Sequence, residues 1–492
     1  MLKRRTRLEQ DYPYEGEEQL HGAAQRLVLT IYLRDYYSQY HAPWPPSLPL
    51  SEMETETVVA YWCQVETGVR GALAGDGQQM RIEQCMQQTL SVMAGPIVTR
   101  LSWPRTTLLV RDRNIRSSSD GTQTLIDLPC SLSSFHGHVF LKGALESADG
   151  GLFRHLNHVK SLNVACSNSS IIKDDAFLHL RSVTVLNVAG CYRLTDEAFS
   201  HLSNLKTLHM SGCNQHCITD RAFGHLTYLQ SLAMRDCSQS TITSKAFPHL
   251  VKLQSLDMSG CNQSTITSEA FHHLVDLQSL DMSECNQSTI SSEAFHHLKN
   301  LQSLKMSYCS QAMITDKAFR HLVNVQSLQM NFCRQSTITD EAFRHLANLK
   351  RLNMRMCDQS TITDEAFRHL NNLLFLDMGL CRQSTITNRA FRHVTDLQCL
   401  DITACNQPTI TEEAFRHLTS LKSLNIWGCI QSTITNEAFR HLVGLQYLNM
   451  KSCNQSTITE EAFRHLTNLQ TLITAGCDQL AITQEVLSRL AN

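Results

Sequence analysis

The chain has 492 residues, of which 42% are hydrophobic and 18% are charged. This length exceeds one compact domain and predicts either several domains or an array of repeats. The formal net charge of -2 argues against a surface built to bind nucleic acid in general, and no apolar run is long enough to span a membrane.

The first residues carry a basic cluster without a following apolar run, which is unlike a secretory signal. The cluster consists of Lys3, Arg4, Arg5 and Arg7. We therefore expect a cytoplasmic protein, with the nucleus as the alternative because short basic runs can be nuclear addresses. Disulfides are rare in such reducing compartments, so the 19 cysteines are expected to be free thiols.

Apolar residues at helical spacing predict a small helical domain within residues 1–100. The three sets are Leu20, Ala24, Leu27 and Ile31; Val58, Trp62, Val65 and Val69; and Ile82, Met86, Leu90 and Met93. A proline-rich break at residues 41–50 separates the first helix from the second. Residues 101–137 contain a strand, TTLLVRD, and a loop, RSSSDGTQ, and should form an irregular cap on the repeats that follow.

Cysteines mark the organisation of residues 138–492. From Cys213 to Cys477 one recurs every 24 residues, which is the mark of a solenoid. In one unit, Leu256 and Met258 alternate before Cys261 as in a strand. The following apolar positions, Ile266, Ala270, Phe271, Leu274 and Leu277, are spaced as one side of a short helix, and Thr267 suits its N-cap. We expect an α/β solenoid, shaped like a horseshoe, with one strand plus one short helix per repeat.

The unit LxxLxMxxCxxxxxITDxAFxxLxx resembles the cysteine-containing leucine-rich repeats, best known from F-box substrate adaptors of cullin-type ubiquitin ligases. The resemblance implies the solenoid fold. It also implies docking to ubiquitin-ligase subunits wherever an N-terminal F-box is present. Leu48-Pro49, ahead of the helix with Trp62, is similar in outline, so residues 48–95 are a candidate degenerate F-box. The segment reads LPLSEM where that family opens with Leu-Pro-x-Glu.

Three residue types recur in register and could each be a site. The cysteine lies at the turn out of the strand, where it should fill the interior and bond the neighbouring backbone. The histidine, as in His345, should border the convex helix face, and a row of imidazoles could bind metal or sense pH. The arginine, as in Arg344, often follows Glu by three residues, which predicts local ion pairs. Because close CxxC or CxxH pairs do not recur along the repeats, we expect no metal and no cofactor.

The copies differ mainly around the strand, at positions six, four, two and one before each cysteine. The first three alternate with Leu and Met, so they should face outward on the concave side. Large aromatics with arginine are typical of interface hot spots. The predicted contact patch is Arg351, Arg355, Phe375, Asp377, Trp427, Tyr447 and Lys451. A second, weaker patch is Lys305, Tyr308, Asn331 and Phe332.

These features predict a non-catalytic scaffold that binds a protein partner on its concave face. The alternative is a substrate-recognition subunit of a cullin-type ubiquitin ligase that docks through the N-terminal domain. A third possibility is an enzyme in that domain, where we find only the scattered Cys63, Cys85 and His41 and no phosphate loop or nucleophile elbow. We expect neither nucleic-acid nor membrane binding.

Overall fold

The computed structural model describes residues 107–111, 115–117, 124–126, 138–142, 151–154, 156–165 and 172–477. The chain divides into two compact units, residues 1–217 and 218–492. The helices predicted within residues 1–100, including the F-box-like segment 48–95, lie outside the described residues.

In the first unit the sheet begins before the cysteine-marked repeats. Its strands are β1 (Thr107–Arg111), β2 (Ile115–Ser117), β3 (Thr124–Ile126), β4 (His138–Lys142), β5 (Ser161–Asn163), β6 (Val185–Asn187) and β7 (Thr207–His209). The predicted strand TTLLVRD is β1, which pairs in parallel with β4, and β4 to β7 continue in chain order. β2 and β3 form a separate antiparallel pair. Short helices cover Gly151–Arg154, Asp174–His179 and Asp196–Ser200.

The second unit repeats one parallel strand and one short helix. The strands are β8 (Ser231–Ala233), β9 (Ser255–Asp257), β10 (Ser279–Asp281), β11 (Ser303–Lys305), β12 (Ser327–Gln329), β13 (Arg351–Asn353), β14 (Phe375–Asp377), β15 (Cys399–Asp401), β16 (Ser423–Asn425), β17 (Tyr447–Asn449) and β18 (Thr471–Ile473). The helices are Asp220–Gly224, Ser244–His249, Ser268–Phe271, Ser292–Phe295, Asp316–His321, Asp340–Phe343, Asp364–His369, Ala390–His393, Glu412–Ala414, Asn436–Phe439 and Glu460–Phe463. The predicted unit of one strand and one short helix is confirmed, although most helices are single 3-10 turns.

The core consists of apolar columns that run from repeat to repeat. In one repeat Leu256, Met258, Ile266 and Phe271 are each at most 1% exposed. The same positions are buried from Leu232 to Phe463, and each phenylalanine contributes about 1.5–3 kcal/mol by leaving water. The alternation predicted for the strands is confirmed. The central leucine of each strand from β8 to β17 is buried, and its two neighbours are half-buried or exposed except at Asp377 in β14.

Polar side chains fasten one repeat to the next at the helix starts. The Asp340 carboxylate accepts a hydrogen bond from the Thr363 backbone N–H and another from its hydroxyl, each at 2.7 Å. Thr363 in turn caps its own helix by accepting from the Glu365 N–H at 3.2 Å. The predicted N-cap role of Thr267 is confirmed in the same way, with a bond of 3.3 Å from Glu269.

The aspartate bridge between repeats can be tested by substitution. Asp340→Ala should lower the free energy of unfolding by about 1–3 kcal/mol, because the part-buried backbone N–H and hydroxyl of Thr363 lose their acceptor. Asp340→Asn is the matched control, since Asn388 already bridges to Thr411 through both amide atoms, each at 2.8 Å. We expect it to remain within about 0.5 kcal/mol of the native chain. Urea denaturation followed by circular dichroism measures both, and equal stability of all three proteins would contradict the bridge.

Candidate functional site

The outward side chains of β8 to β18, with the residue directly before each strand and the second residue after it, form one surface, which we call the strand face. In β13, Arg351 and Asn353 lie on this face, and Leu352 between them is fully buried. The parallel register places Arg351 beside Phe375, Phe375 beside Cys399, and Ser423 beside Tyr447. Residues at equal positions in successive repeats therefore become neighbours on the strand face.

The structure brings the predicted patch residues together as two cation–aromatic pairs. The Arg351 guanidinium carbon lies 5.9 Å from the ring centroid of Phe375. The Lys451 ammonium nitrogen lies 5.3 Å from the ring centroid of Trp427, whose surface is 43% exposed. Tyr447 is half-buried in the same column as Arg351 and Phe375. These pairs present large apolar surfaces next to exposed positive charge.

Asp377 corrects the predicted patch, because it is only 8% exposed. Its carboxylate accepts from the Gly379 N–H at 2.9 Å and lies 3.7 Å from the Arg355 guanidinium. Burial raises the pKa of Asp377, against the lowering effects of the Gly379 hydrogen bond and of Arg355. A Cβ atom on Gly379 would lie 2.5 Å from an Arg355 nitrogen, so glycine lets Arg355 cover the carboxylate. Asp377 supports the surface and was wrongly predicted to be part of its exposed contact area.

The weaker predicted patch divides into an ion pair and an aromatic stack. Lys305 lies 3.8 Å from the Asp281 carboxylate. Tyr308 and Phe332 stack with centroids 4.2 Å apart and planes at 12°. Asn331, next to Phe332, is half-buried.

Sequence reasoning missed what the position directly before each cysteine requires of the backbone. Tyr308 and Phe332 both have φ of 58°, in the left-handed region, and Met356 and Leu380 have φ of 56° and 59°. Met356 and Leu380 were absent from the predicted patches. The signal was present, because Gly260 occupies the same column with φ of 71°, and glycine adopts that conformation without strain.

The repeated cysteines hold the interior together. Cys261 donates to the Met234 carbonyl of the preceding repeat at 2.9 Å, and Cys405 donates to the Met378 carbonyl at 2.7 Å. Burial raises the pKa of Cys333 to about 12, so its thiol stays protonated at neutral pH. Within the described residues, no three His, Cys, Asp or Glu side chains converge as metal ligands. The predicted interior role of the cysteines is confirmed.

Two comparisons with known proteins bear on this architecture. Residues 158–422 match the family model described as a leucine-rich repeat region, and residues 419–478 match one described as a leucine rich repeat. The chain belongs to the leucine-rich-repeat family. No curated protein matches the chain.

Solved structures share the leucine-rich-repeat fold at low identity. A leucine-rich-repeat protein of Leptospira interrogans is 18% identical, with a TM-score of 0.61 over 80% of this chain and 95% of that chain. A chain of the Drosophila Toll–Spatzle complex is 15% identical, with a TM-score of 0.54 over 71% of this chain. The match spans about half of that Drosophila chain, 52%. None of the helices in the described ranges is long and apolar enough to cross a membrane.

The rows of arginine and histidine lie on the helix face, away from the strand face. Arg344 lies 3.6 Å from Glu341 and Arg440 lies 3.4 Å from Glu437, which confirms the predicted local pairs. Such exposed pairs contribute about 0–1 kcal/mol each. The row is therefore paired locally in the repeats that place Glu three residues before the arginine, as at Arg344, Arg368, Arg416, Arg440 and Arg464.

Imidazoles crowd together in one part of the helix face, which we call the histidine cluster: His272, His273, His296, His297 and His321. The centroids of His296 and His321 are 4.4 Å apart, and those of His296 and His297 are 4.9 Å apart. Desolvation and then the charge of His296 lower the pKa of His297 and of His321. His272 and Lys299 add to the effect at His297. These effects favour the neutral imidazoles of His297 and His321.

Thiol labelling tests the interior role of the cysteines. In the native chain iodoacetamide should modify the exposed Cys217 readily and the half-buried Cys399 slowly. Buried column members such as Cys309 should stay unmodified until urea is added, because their pKa is raised by burial and reagent cannot reach them. Peptide mass spectrometry resolves each site. Native modification of Cys309 at the rate of Cys217 would contradict this assignment.

The histidine cluster predicts a pH dependence with a definite sign. Because the folded pKa values of His297 and His321 are lowered, the folded state binds fewer protons than the unfolded chain below about pH 6.5. Stability should therefore fall as the pH drops through that value. His296→Gln should raise both pKa values in an NMR titration, whereas His441→Gln, outside the cluster, should leave them unchanged. Unaltered values in His296→Gln would show that the ring contacts do not set them.

Proposed function

We propose that this leucine-rich-repeat protein is a non-catalytic recognition protein that binds a protein partner on the strand face between β13 and β17. The carrying observation is a difference between repeats that share one fold. The first residue of the strand is serine in β9 to β12 (Ser255, Ser279, Ser303 and Ser327). In β13, β14 and β17 it is instead Arg351, Phe375 and Tyr447. Because serine at this position is sufficient for the fold, folding does not explain the large residues. Contact with a partner would explain them.

The composition of this region supports a protein partner. Trp, Tyr and Arg supply most hot spots at protein interfaces, where a few well-placed anchors dominate the affinity. Trp427 is exposed and Tyr447 and Phe375 are half-buried, so each ring offers apolar area while its base is held in place. A chain with the same fold was solved in the Toll–Spatzle complex, which also supports this use of the repeats.

The ubiquitin-ligase alternative depends on residues 48–95, outside the described residues, so no described contact favours it. Enzymatic activity likewise has no constellation among the described residues to support it. We also propose a reducing compartment, the cytoplasm, because thiols bonded to backbone carbonyls, as in Cys261, are preserved under reducing conditions.

Substitution by the residue of sister repeats tests the proposal. Arg351→Ser, Phe375→Ser, Trp427→Ser and Tyr447→Ser together should abolish partner capture, since an interface hot spot contributes about 2 kcal/mol or more. Other repeats carry serine at these positions: Ser255 at the position of Arg351, Phe375 and Tyr447, and Ser283 at the position of Trp427. The fold should therefore persist. Affinity capture with quantitative mass spectrometry measures binding, and the melting temperature checks folding.

The matched control changes the helix face instead. Arg344→Ala, Arg368→Ala, Arg416→Ala and Arg440→Ala change the same number of side chains and remove only weak ion pairs. This control should capture the same proteins as the native chain. Identical captured proteins for the native chain and the folded serine variant would refute the strand face as the site.

A further inference from the structure

Positive charge on the strand face is largely separated into the later repeats. The acidic side chains Asp257 and Asp281 lie in β9 and β10, and Asp377 and Asp401 lie in β14 and β15. The cations Lys350, Arg351, Lys422 and Lys451 lie at β13, β16 and β17 and are all exposed. A near-neutral chain therefore carries a locally positive surface in the region that we propose for partner binding.

Ion pairing sharpens this separation. Asp257 is paired with Arg235 at 3.4 Å, and Asp281 with Lys305 at 3.8 Å, so the acidic part is largely neutralised. By contrast, none of Lys350, Arg351, Lys422 and Lys451 forms an ion pair with any carboxylate in the described part of the chain. Uncompensated cations that converge on one surface favour a negatively charged partner.

Two cations of this basic region, Arg351 and Lys422, both lie close enough to Cys399 to influence its thiol. Phe375 pairs with Cys399, and Cys399 pairs with Ser423 directly after Lys422. Burial raises the pKa of the Cys399 thiol, while the positive charges of Arg351 and Lys422 lower it. The Asp401 carboxylate accepts from the Thr403 N–H and the Asn425 amide, each at 2.8 Å, and forms no ion pair with Arg351 or Lys422.

An apolar ridge borders the strand face over four successive repeats: Tyr308, Phe332, Met356 and Leu380. All four have left-handed backbones, with φ of 58°, 58°, 56° and 59°. Such a conformation costs a non-glycine residue about 1–2 kcal/mol, and glycine serves in this column at Gly260 and Gly428. Asp236, Glu284, Ala404 and Ser452 adopt the same conformation in other repeats, so it belongs to the repeat turn and not to the apolar residues. The four differ in leaving large apolar side chains exposed or half-buried at this turn, which favours contact with an apolar partner surface.

We propose that the strand face from β13 to β17, with the apolar ridge beside it, binds an acidic peptide segment of the protein partner. The partner's carboxylates would meet Arg351, Lys422 and Lys451. Its apolar side chains would pack on Phe375, Trp427 and the ridge. This inference rests on the proposed function and adds the chemistry of the partner to it.

A single-stranded nucleic acid would also be attracted by cations and aromatic rings, but the geometry favours a peptide. Bases need open ring faces, whereas Arg351 already lies over Phe375 and Lys451 over Trp427. Tyr308 and Phe332 cover each other by stacking. The aliphatic Met356 and Leu380 match apolar side chains better than they match bases.

The test selects peptides on the immobilised full-length chain from a random-peptide phage library. We expect enriched sequences with net negative charge and aromatic or aliphatic residues. A synthetic enriched peptide should bind the Arg351→Glu/Lys422→Glu variant about tenfold more weakly or worse. The matched charge control Arg344→Glu/Arg368→Glu, on the helix face, should bind it like the native chain. Raising the ionic strength from ~0.05 M to ~0.5 M should weaken native binding because charges are screened.

Several outcomes would overturn the inference: no enrichment, enrichment without negative charge, or equal binding by both charge variants. Displacement of the peptide by single-stranded oligouridine at equal affinity would assign the surface to nucleic acid instead. The serine variant separates this inference from the proposed function. If enriched peptides lack negative charge but are lost on that variant, only the acidic chemistry fails. If they bind that variant unchanged, the strand face fails as a binding site as well.

Discussion

Register between successive repeats is the constraint on which the rest of the structure depends. In a parallel sheet each residue lies beside its counterpart in the next strand, as Leu304 does beside Leu328. A slip by one residue would turn buried leucines toward water. Three groups secure this register away from the sheet hydrogen bonds: the packed phenylalanines, the cysteine thiol on the preceding carbonyl, and the Asp340–Thr363 bridge with its equivalents. Each acts between repeats, so each is strengthened by exact repetition of the unit.

Repetition with fixed register converts a residue type into a row. This explains why the conspicuous histidines and arginines crowd together without converging on a site. His321 occupies the helix position of His297 in the next repeat, so it lies beside the His296–His297 pair and contacts His296. Packing between repeats leaves the outward positions of the strand face free to vary in sequence, because serine there is sufficient for the fold. Side chains that exceed serine there, such as Trp427, add exposed apolar area without adding to the core.

Features that depend on one repeat or on strict periodicity could be predicted from the sequence. The buried alternation around Leu256, the cap by Thr267 and the interior position of Cys261 are all local or periodic. Features that depend on two unlike repeats could not. Asp377 is buried because Arg355 of the preceding repeat lies over it and because Gly379 leaves room. The left-handed column was visible only by comparing Gly260 with the bulky residues that replace it.

Net charge averages over a surface on which position decides recognition. The value of -2 predicts no strong field, yet Asp257 and Asp281 are paired, whereas Arg351, Lys422 and Lys451 have no carboxylate partner among the described residues. Two of those cations are also partly held in place, because Arg351 and Lys451 each form a cation–π interaction. Such an interaction contributes about 0.5–1 kcal/mol at an exposed site. A side chain already ordered loses less rotamer freedom when a carboxylate arrives. In the proposed complex, the cation–aromatic pairs therefore favour association twice, through charge and through preorganisation, and the apolar ridge beside the strand face supplies the contact that charge alone lacks.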